Sequence, residues 1–394
     1  MENVKLSDIE QLIDMGDRFL EIMESSSRLP SREKAPKLYK IGEVATMIGK
    51  SRNTIITAEE KGIITETVKT GGGHRYLTLK QINALRAHYN ILPWRDPRDE
   101  AIIIASAVTK GGVGKSVNTV TFAHGLAEKG YRVAILDLDP QATSTSANGY
   151  IPDHVQKGPG KGIEDELTIA PFMELEEQSL SYALRETNWD GLKLIPSNLD
   201  TYNLEYSLWK RLADGDTLEE KLVVFRRLRK GIDSIKQDFD VILLDTPPSF
   251  GMIPLSILIA ADALLIPSPA RMYDFFSTIQ FFRMVVETMT RIDPDKEYKW
   301  MKVLITQYDQ RLVDQQKFVT AMRKCFGEFP MNNIFYQSAD IQKSASEFKS
   351  VMEYEGTRKR TTNMIAPIIN ELEVLMRSTW EHSPAEPMRF VGVS

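Results

Sequence analysis

Thr109-Lys110-Gly111-Gly112-Val113-Gly114-Lys115-Ser116 stands between the apolar run Ala101-Ile102-Ile103-Ile104-Ala105 and a segment with helical spacing. Three glycines in such a strand-to-helix turn let backbone N–H groups close around polyanionic oxygens. Lys115 has the reach for the outer phosphates of a nucleotide, and the Ser116 hydroxyl can hold a magnesium ion. Lys110, Gly111, Gly112, Val113, Gly114, Lys115, Ser116 and Val117 therefore form the expected nucleotide-binding set. A glycine-rich turn with no ligand is the competing reading, and the order strand, loop, helix speaks against it.

Outward from this loop the chain alternates apolar runs with helical stretches. Tyr131 to Leu136, Gly191 to Pro196, Val241 to Leu244, Ala263 to Pro267 and Trp300 to Ile305 read as further strands. Continuous apolar strands separated by helices predict an α/β fold, a parallel sheet covered on both faces. Two strand ends carry acids where ligands bind in such folds. Asp137-Leu138-Asp139-Pro140-Gln141 offers two carboxylates and Thr246-Pro247-Pro248 is preceded by Asp245. One acid of the pair can organise an attacking water near magnesium, and Asp245 sits where it complements Ser116 on the metal. Helix capping is the plainer use of the paired acids.

The N-terminal part has a different texture. Leu6, Ile9, Leu12, Ile13, Met15, Phe19, Leu20, Ile22 and Met23 fall on one stripe of a helix within residues 1–30. It packs either on a partner subunit, as a dimerisation element, or on its own domain. From Tyr39 to Ile55 a glycine turn separates two short helices. Ser51 suits the cap of the second, whose first turn presents Arg52, Asn53 and Thr54 to a major groove. Two short strands, Ile63 to Lys69 and Arg75 to Leu77, join around Gly71-Gly72-Gly73, and Thr78 starts a helix; Lys69, His74 and Arg75 lie on this wing. Residues 37–92 thus read as a winged helix-turn-helix, and Ile91 to Glu100, with two prolines, as a connector.

The chain's 394 residues carry a formal charge of −5, so affinity for nucleic acid must come from local basic patches. The single Cys325 leaves no intramolecular disulfide and reads as a small core residue. There is no run of about 20 apolar residues and no signal-peptide pattern at Met1-Glu2-Asn3-Val4-Lys5, which points to a cytoplasmic protein with no membrane contact. Gly149 to Asp165 reads as a mobile loop and residues 382–394 as a loose tail after a helix through Ile365, Ile368, Ile369, Leu372 and Leu375.

The extra lysine ahead of the glycines makes the loop similar to the deviant phosphate loop of the ParA/MinD ATPases. The wing segment Gly73-His74-Arg75-Tyr76 resembles MerR-type winged domains. Leu194-Ile195-Pro196-Ser197, Ala260 to Pro269 and Phe275-Phe276-Ser277-Thr278 resemble segments of the large ParA partition ATPases of plasmids. The resemblance implies a P-loop ATPase domain over residues 99–381, using ATP/ADP and Mg2+. It implies a homodimer in which Lys110 reaches the partner's nucleotide, Asp139 handling the attacking water, and Asp245 as the Walker B acid. Lys110, Lys115 and Asp139 are the implied catalytic residues. It further implies a ParB-like centromere-binding partner, nonspecific nucleoid DNA as a track, and operator DNA for autoregulation. Lys343 and Lys349, in Asp340 to Lys349, fall in a segment that resembles the family's DNA-contacting stretch; Arg358, Lys359 and Arg360 add charge, and Glu347, Glu353 and Glu355 dilute it. The rival readings are a nucleotide-switched repressor that moves no cargo and a MinD-like membrane-positioning ATPase. The tail, with Met388, Phe390 and Val391, lacks the basic amphipathic helix the latter needs.

Overall fold

The computed structural model describes residues 6–25, 34–69, 72–150 and 167–384. Most of the glycine-rich stretch after Gly149, Thr70 and Gly71 of the expected wing, and the tail from residue 385 lie outside them. The N-terminal part contains α1 (Leu6–Ser25), β1 (Leu38–Lys40), α2 (Ile41–Ile48), α3 (Arg52–Glu60), β2 (Val68–Lys69), β3 (Arg75–Thr78) and α4 (Leu79–His88). The remainder runs β4 (Ile102–Ser106), α5 (Lys115–Lys129), β5 (Val133–Asp137), α6 (Thr143–Ala147), α7 (Ala170–Met173), β6 (Arg185–Glu186), β7 (Leu192–Ile195), α8 (Thr201–Asp214) and α9 (Leu218–Asp233). It continues through β8 (Val241–Asp245), α10 (Met252–Ala260), β9 (Ala263–Pro269), α11 (Met272–Ile292), β10 (Trp300–Thr306), α12 (Val313–Phe326), α13 (Ala339–Ser346) and α14 (Lys359–Arg377).

The large sheet has the order β10-β9-β4-β8-β5-β7-β6. It is parallel apart from β6, a two-residue edge strand that runs antiparallel to β7 and that apolar patterning cannot reveal. Strands β4, β5 and β8 are buried throughout, as strands covered on both faces must be. On one face Ile103, Ala105, Ile242 and Leu244 meet Ile253 and Ile257 of α10. On the other, Ile102, Ile104, Val133 and Ile135 meet Phe122 and Leu126 of α5 and Ile365, Ile368, Ile369 and Leu372 of α14. Strand β4 is the third of seven strands, so its loop opens on the interior of the sheet's carboxyl edge, beside the central β8.

The N-terminal elements form a second sheet, β1-β3-β2, antiparallel throughout. Strand β1 is additional to the expected pair, and β2 is shorter than expected. Gly49 closes α2 in the left-handed conformation at φ 63°, and the Ser51 hydroxyl accepts from Thr54 N at 3.1 Å to start α3. Thr78 caps α4 reciprocally with Gln81. This small core, with Val44, Ile48, Ile55, Leu77, Ile82 and Leu85, is continuous with Phe122, Leu126 and Tyr131 of the large unit. Polar contacts reinforce the junction: Lys37 pairs with Glu128 at 2.8 Å, Asn83 with Asp190 at 2.8 Å, and Arg86 donates to Glu128 O at 2.8 Å. The connector is pinned as well, since buried Arg95 donates to Phe239 O and Asp99 O.

Two expectations are corrected. Cys325 is exposed, because Gln315, Val319 and Met322 mark the inward stripe of α12 and position 325 falls beside it. His382 and Ser383 are anchored rather than loose: Asp99 accepts from Ser383 Oγ at 2.7 Å and lies 3.0 Å from His382 Nδ1. On α1, Ile9, Leu12, Met15 and Ile22 are exposed.

Inside the junction lies His124, fully buried and stacked on Trp189 at 4.4 Å. Asn148 Nδ2 donates to Ser144 O at 2.8 Å, which turns its Oδ1 toward His124 Nε2 at 3.1 Å. The imidazole thus carries its proton on Nε2 and accepts from Ser350 Oγ at Nδ1, 2.7 Å. Burial lowers its pKa from 6.5 to about 4. Between those values the unfolded chain binds a proton that the folded chain refuses, so this contribution is complete above pH 6.5 and is lost as pH falls toward 4. Urea titrations should show about 2 kcal/mol less stability from this group at pH 5 than at pH 7. A His124→Gln variant with an unchanged difference between the two pH values would reject the assignment.

Candidate functional site

Gly112 and Gly114 adopt φ of 72° and 98°, left-handed values that side chains other than glycine rarely take. The carbonyls of Val113 and Gly112 accept from Thr306 Oγ1 at 3.0 Å and Gln307 Nε2 at 2.5 Å, fastening the loop to the end of β10. Lys115 Nζ bonds Lys110 O at 3.0 Å, closing the loop across its mouth. Among the described residues the N–H groups of Gly111 to Gly114 donate no hydrogen bond, and the first turn of α5 adds the free donors of any helix start. The arrangement is an anion cradle at the positive end of a helix dipole.

A cavity of about 490 Å³ opens from this cradle. It is lined by Gly111 to Asn118, Asp139, Gln141, Thr143 and Pro248, and by Thr306, Gln307, Phe335 to Ser338, Ile341, Gln342 and Ala345.

The acids differ in what they do. Asp137 is wholly buried and accepts from Thr145 N at 2.8 Å and Thr145 Oγ1 at 2.7 Å, an anchor for α6. Burial first, then Asp245, raises its carboxyl. Asp139 faces the cavity, with Oδ1 accepting from Gln141 N at 2.9 Å. Burial raises its pKa, while that N–H and Lys115 hold the rise back. Asp245, beside Asp137 in the strand register, accepts Ser144 Oγ at 2.6 Å on Oδ2. Its Oδ1 is buried and has no hydrogen-bond partner. Burial raises this acid too, with Ser144 and Ser116 opposing. Lys115 is 6% exposed, and burial lowers its pKa against the attraction of Asp245 and Asp139.

Lys110 does not line the cavity. Its Nζ lies 2.6 Å from Asp274 Oδ1, on the first turn of α11. Asp274 escaped the sequence reading because no motif marks it, as did Asn118, Thr306 and Gln307; the position of the last two at the end of β10 and just past it, on the sheet's carboxyl edge, was the available signal.

The other expected site residues are scattered. Arg52 and Asn53 are exposed at the start of α3, whereas the Ser51 and Thr54 hydroxyls are 2.8 Å apart and occupied with each other. On the β2–β3 hairpin Arg75 is paired with Glu59 at 3.0 Å and Lys69 with Glu66 at 3.1 Å, while His74 is exposed. Lys343 is exposed on α13, opposite the face that lines the cavity; Lys349 pairs with Glu347 at 3.1 Å and Arg358 with Asp340 at 3.0 Å.

Residues 101–296 match the family model described as AAA domain. Protein SopA of Escherichia coli K12 is 27% identical over 396 residues, covering 95% of this chain and 98% of that protein. A solved structure described as a partition protein superposes with a TM-score of 0.63 at 20% identity, covering 92% of this chain and 98% of that one. Cobyrinic acid a,c-diamide synthase from Mycobacterium smegmatis, with bound ADP and magnesium, gives a TM-score of 0.50 at 25% identity, covering 64% of this chain and 91% of that one. With a glycine cradle, a second lysine and paired strand-end acids on one parallel sheet, and a relative matched nearly end to end, the chain belongs to the ParA-type plasmid partition ATPases.

Proposed function

We propose that the chain hydrolyses ATP with Mg2+ as a nucleotide-dependent dimer, and that the cycle drives DNA partition. The carrying observation is the cavity in which Lys115, Ser116 and Asp139 converge on one anion cradle. Backbone N–H groups and Lys115 hold the phosphates; Asp139, with its raised pKa, orients the attacking water. The residues fit a magnesium ion, because the unsatisfied, buried Oδ1 of Asp245 is the kind of oxygen a hydrated cation would satisfy, with the Ser116 hydroxyl nearby. Magnesium supplies charge neutralisation on the outer phosphates. The bound ADP and magnesium of the Mycobacterium smegmatis enzyme support this choice.

Exposed apolar side chains support the dimer. Tyr202, Tyr206 and Trp209 recur on one stripe of α8, and Met272, Tyr273 and Phe276 flank Asp274 on α11. A second copy covering this rim would compete for Lys110, which then exchanges Asp274 for the partner's nucleotide. The N-terminal unit, read as a winged helix-turn-helix over residues 37–92, would hold operator DNA through α3 and autoregulate transcription. Lys343, with Lys349, would contact nonspecific nucleoid DNA through phosphates. A ParB-like partner stimulating hydrolysis and a cytoplasmic, nucleoid-associated location complete the reading. No helix among the described residues is long and apolar enough to cross a membrane.

Turnover measured with and without DNA and a cognate partner tests the proposal; nucleotide binding with no hydrolysis under any condition would leave the nucleotide-switched repressor. For the operator role, Arg52→Ala with Asn53→Ala should cost about 1–3 kcal/mol per lost base contact. Footprinting and a nonspecific DNA binding assay check it: an unchanged footprint, or equal loss on both DNAs, contradicts the assignment.

A further inference from the structure

Lys34 leaves the N-terminal unit and inserts its ammonium group into the large one, with its side chain 11% exposed. There it donates to Ala147 O at the end of α6, to Phe348 O at 2.9 Å and to Glu353 Oε2 at 3.1 Å. Glu353 in turn accepts from Ser350 N at 3.1 Å, and from Asn188 Nδ2 at 2.8 Å. Ser350 holds His124, His124 holds Asn148, and Asn148 holds the carbonyl of Ser144. The hydroxyl of that same Ser144 is the group fixed on Asp245. One buried hydrogen-bonded chain therefore runs from the N-terminal unit to the acid at the magnesium position.

Helix α6 is only five residues long, so its placement depends on these contacts rather than on its own stability. Along it Ser144 holds Asp245, Thr145 holds Asp137, and Ala147 is held by Lys34. The carbonyl of Phe348, bound by the same ammonium, belongs to the turn that carries Lys349. Lys34 thus ties the N-terminal unit to two segments with separate proposed roles, the end of α6 and the turn of Lys349.

We propose that Ser144 is the positioning residue for Asp245, and that Lys34, through the end of α6, sets where Ser144 stands and so couples the N-terminal unit to the metal position. The coupling rests on the ATPase reading for its consequence, and on the hydrogen-bonded chain alone for its existence.

Two measurements on the full chain separate these. In the first, fluorescent ADP is titrated with and without Mg2+ against Ser144→Ala, Lys34→Met, the double variant and Lys34→Arg. Ser144→Ala should raise the half-saturating Mg2+ concentration about tenfold, with metal-free ADP affinity unchanged. Lys34→Met should raise it by about threefold to tenfold, with Lys34→Arg closer to the parent, and the double variant should be no worse than Ser144→Ala. Unchanged Mg2+ dependence in Lys34→Met, or factors that multiply in the double variant, would overturn the coupling.

In the second, hydrogen exchange is followed without nucleotide. Lys34→Met should speed exchange at the Asn148 and Gly149 amides about tenfold while β4 and β8 stay protected. No acceleration there refutes the Lys34 link even if the parent binds no ADP, the result that would refute the ATPase reading instead. Melting curves identify any variant that fails to fold, and Lys34→Arg then carries the comparison.

Discussion

Lys110→Ala is expected to lower DNA- and partner-stimulated ATP turnover about a thousandfold, the range in which a charge supplied across an interface acts on phosphoryl transfer. ADP affinity should stay within about threefold of the parent, because a residue outside the cavity contributes little to ground-state binding. The physical basis is the position of Nζ, 2.6 Å from Asp274 and absent from the cavity lining. Asp274→Asn removes the competing acid and should shift the monomer–dimer equilibrium in ATP toward dimer. Sedimentation in ATP and steady-state turnover check both variants. An equal loss of ADP affinity and of turnover in Lys110→Ala would place Lys110 in its own chain's site and end the cross-dimer role.

Lys115→Ala should weaken nucleotide binding itself, about a hundredfold. A charge-assisted hydrogen bond to phosphate is worth about 1.5–3 kcal/mol, and truncation also leaves phosphate charge uncompensated in a half-enclosed site. The loop suffers as well, since Lys115 Nζ is the group that bridges to Lys110 O. Lys115 is 6% exposed and near both Asp139 and Asp245, so its removal leaves those acids less favourably placed. Calorimetry with ADP and Mg2+ gives the number; affinity within about threefold of the parent would refute the cradle assignment.

The contrast between these two lysines, five positions apart, was legible in the sequence as a resemblance, while its geometry was not. Strand positions in the large sheet, by comparison, came through well: each of its apolar runs named as a strand is one, within two residues at either end, because full burial on both faces leaves a continuous hydrophobic record. Short edges left none. Strands β1 and β6 have only three and two residues, too few for any period. Asp137 and Asp139 were indistinguishable by type and spacing; the difference is that Thr145, eight residues on, claims the first and leaves the second facing the cavity. The β2–β3 hairpin was readable from its glycines, but the Glu59 to Arg75 pair depends on how a helix and a hairpin pack. Cys325 and Ser383 misled for a related reason: neither burial of a lone cysteine nor order in a chain end is written in composition.

The pinned connector and the shared core leave the N-terminal unit no swivel of its own. In the proposed dimer, two such units would stand a fixed distance and rotation apart, dictated by how the ATPase faces meet. The molecule would then behave as a pair of calipers. Opening or closing the nucleotide interface would change the span between two DNA grooves, and the phasing of paired half-sites would report the chemical state of the nucleotide.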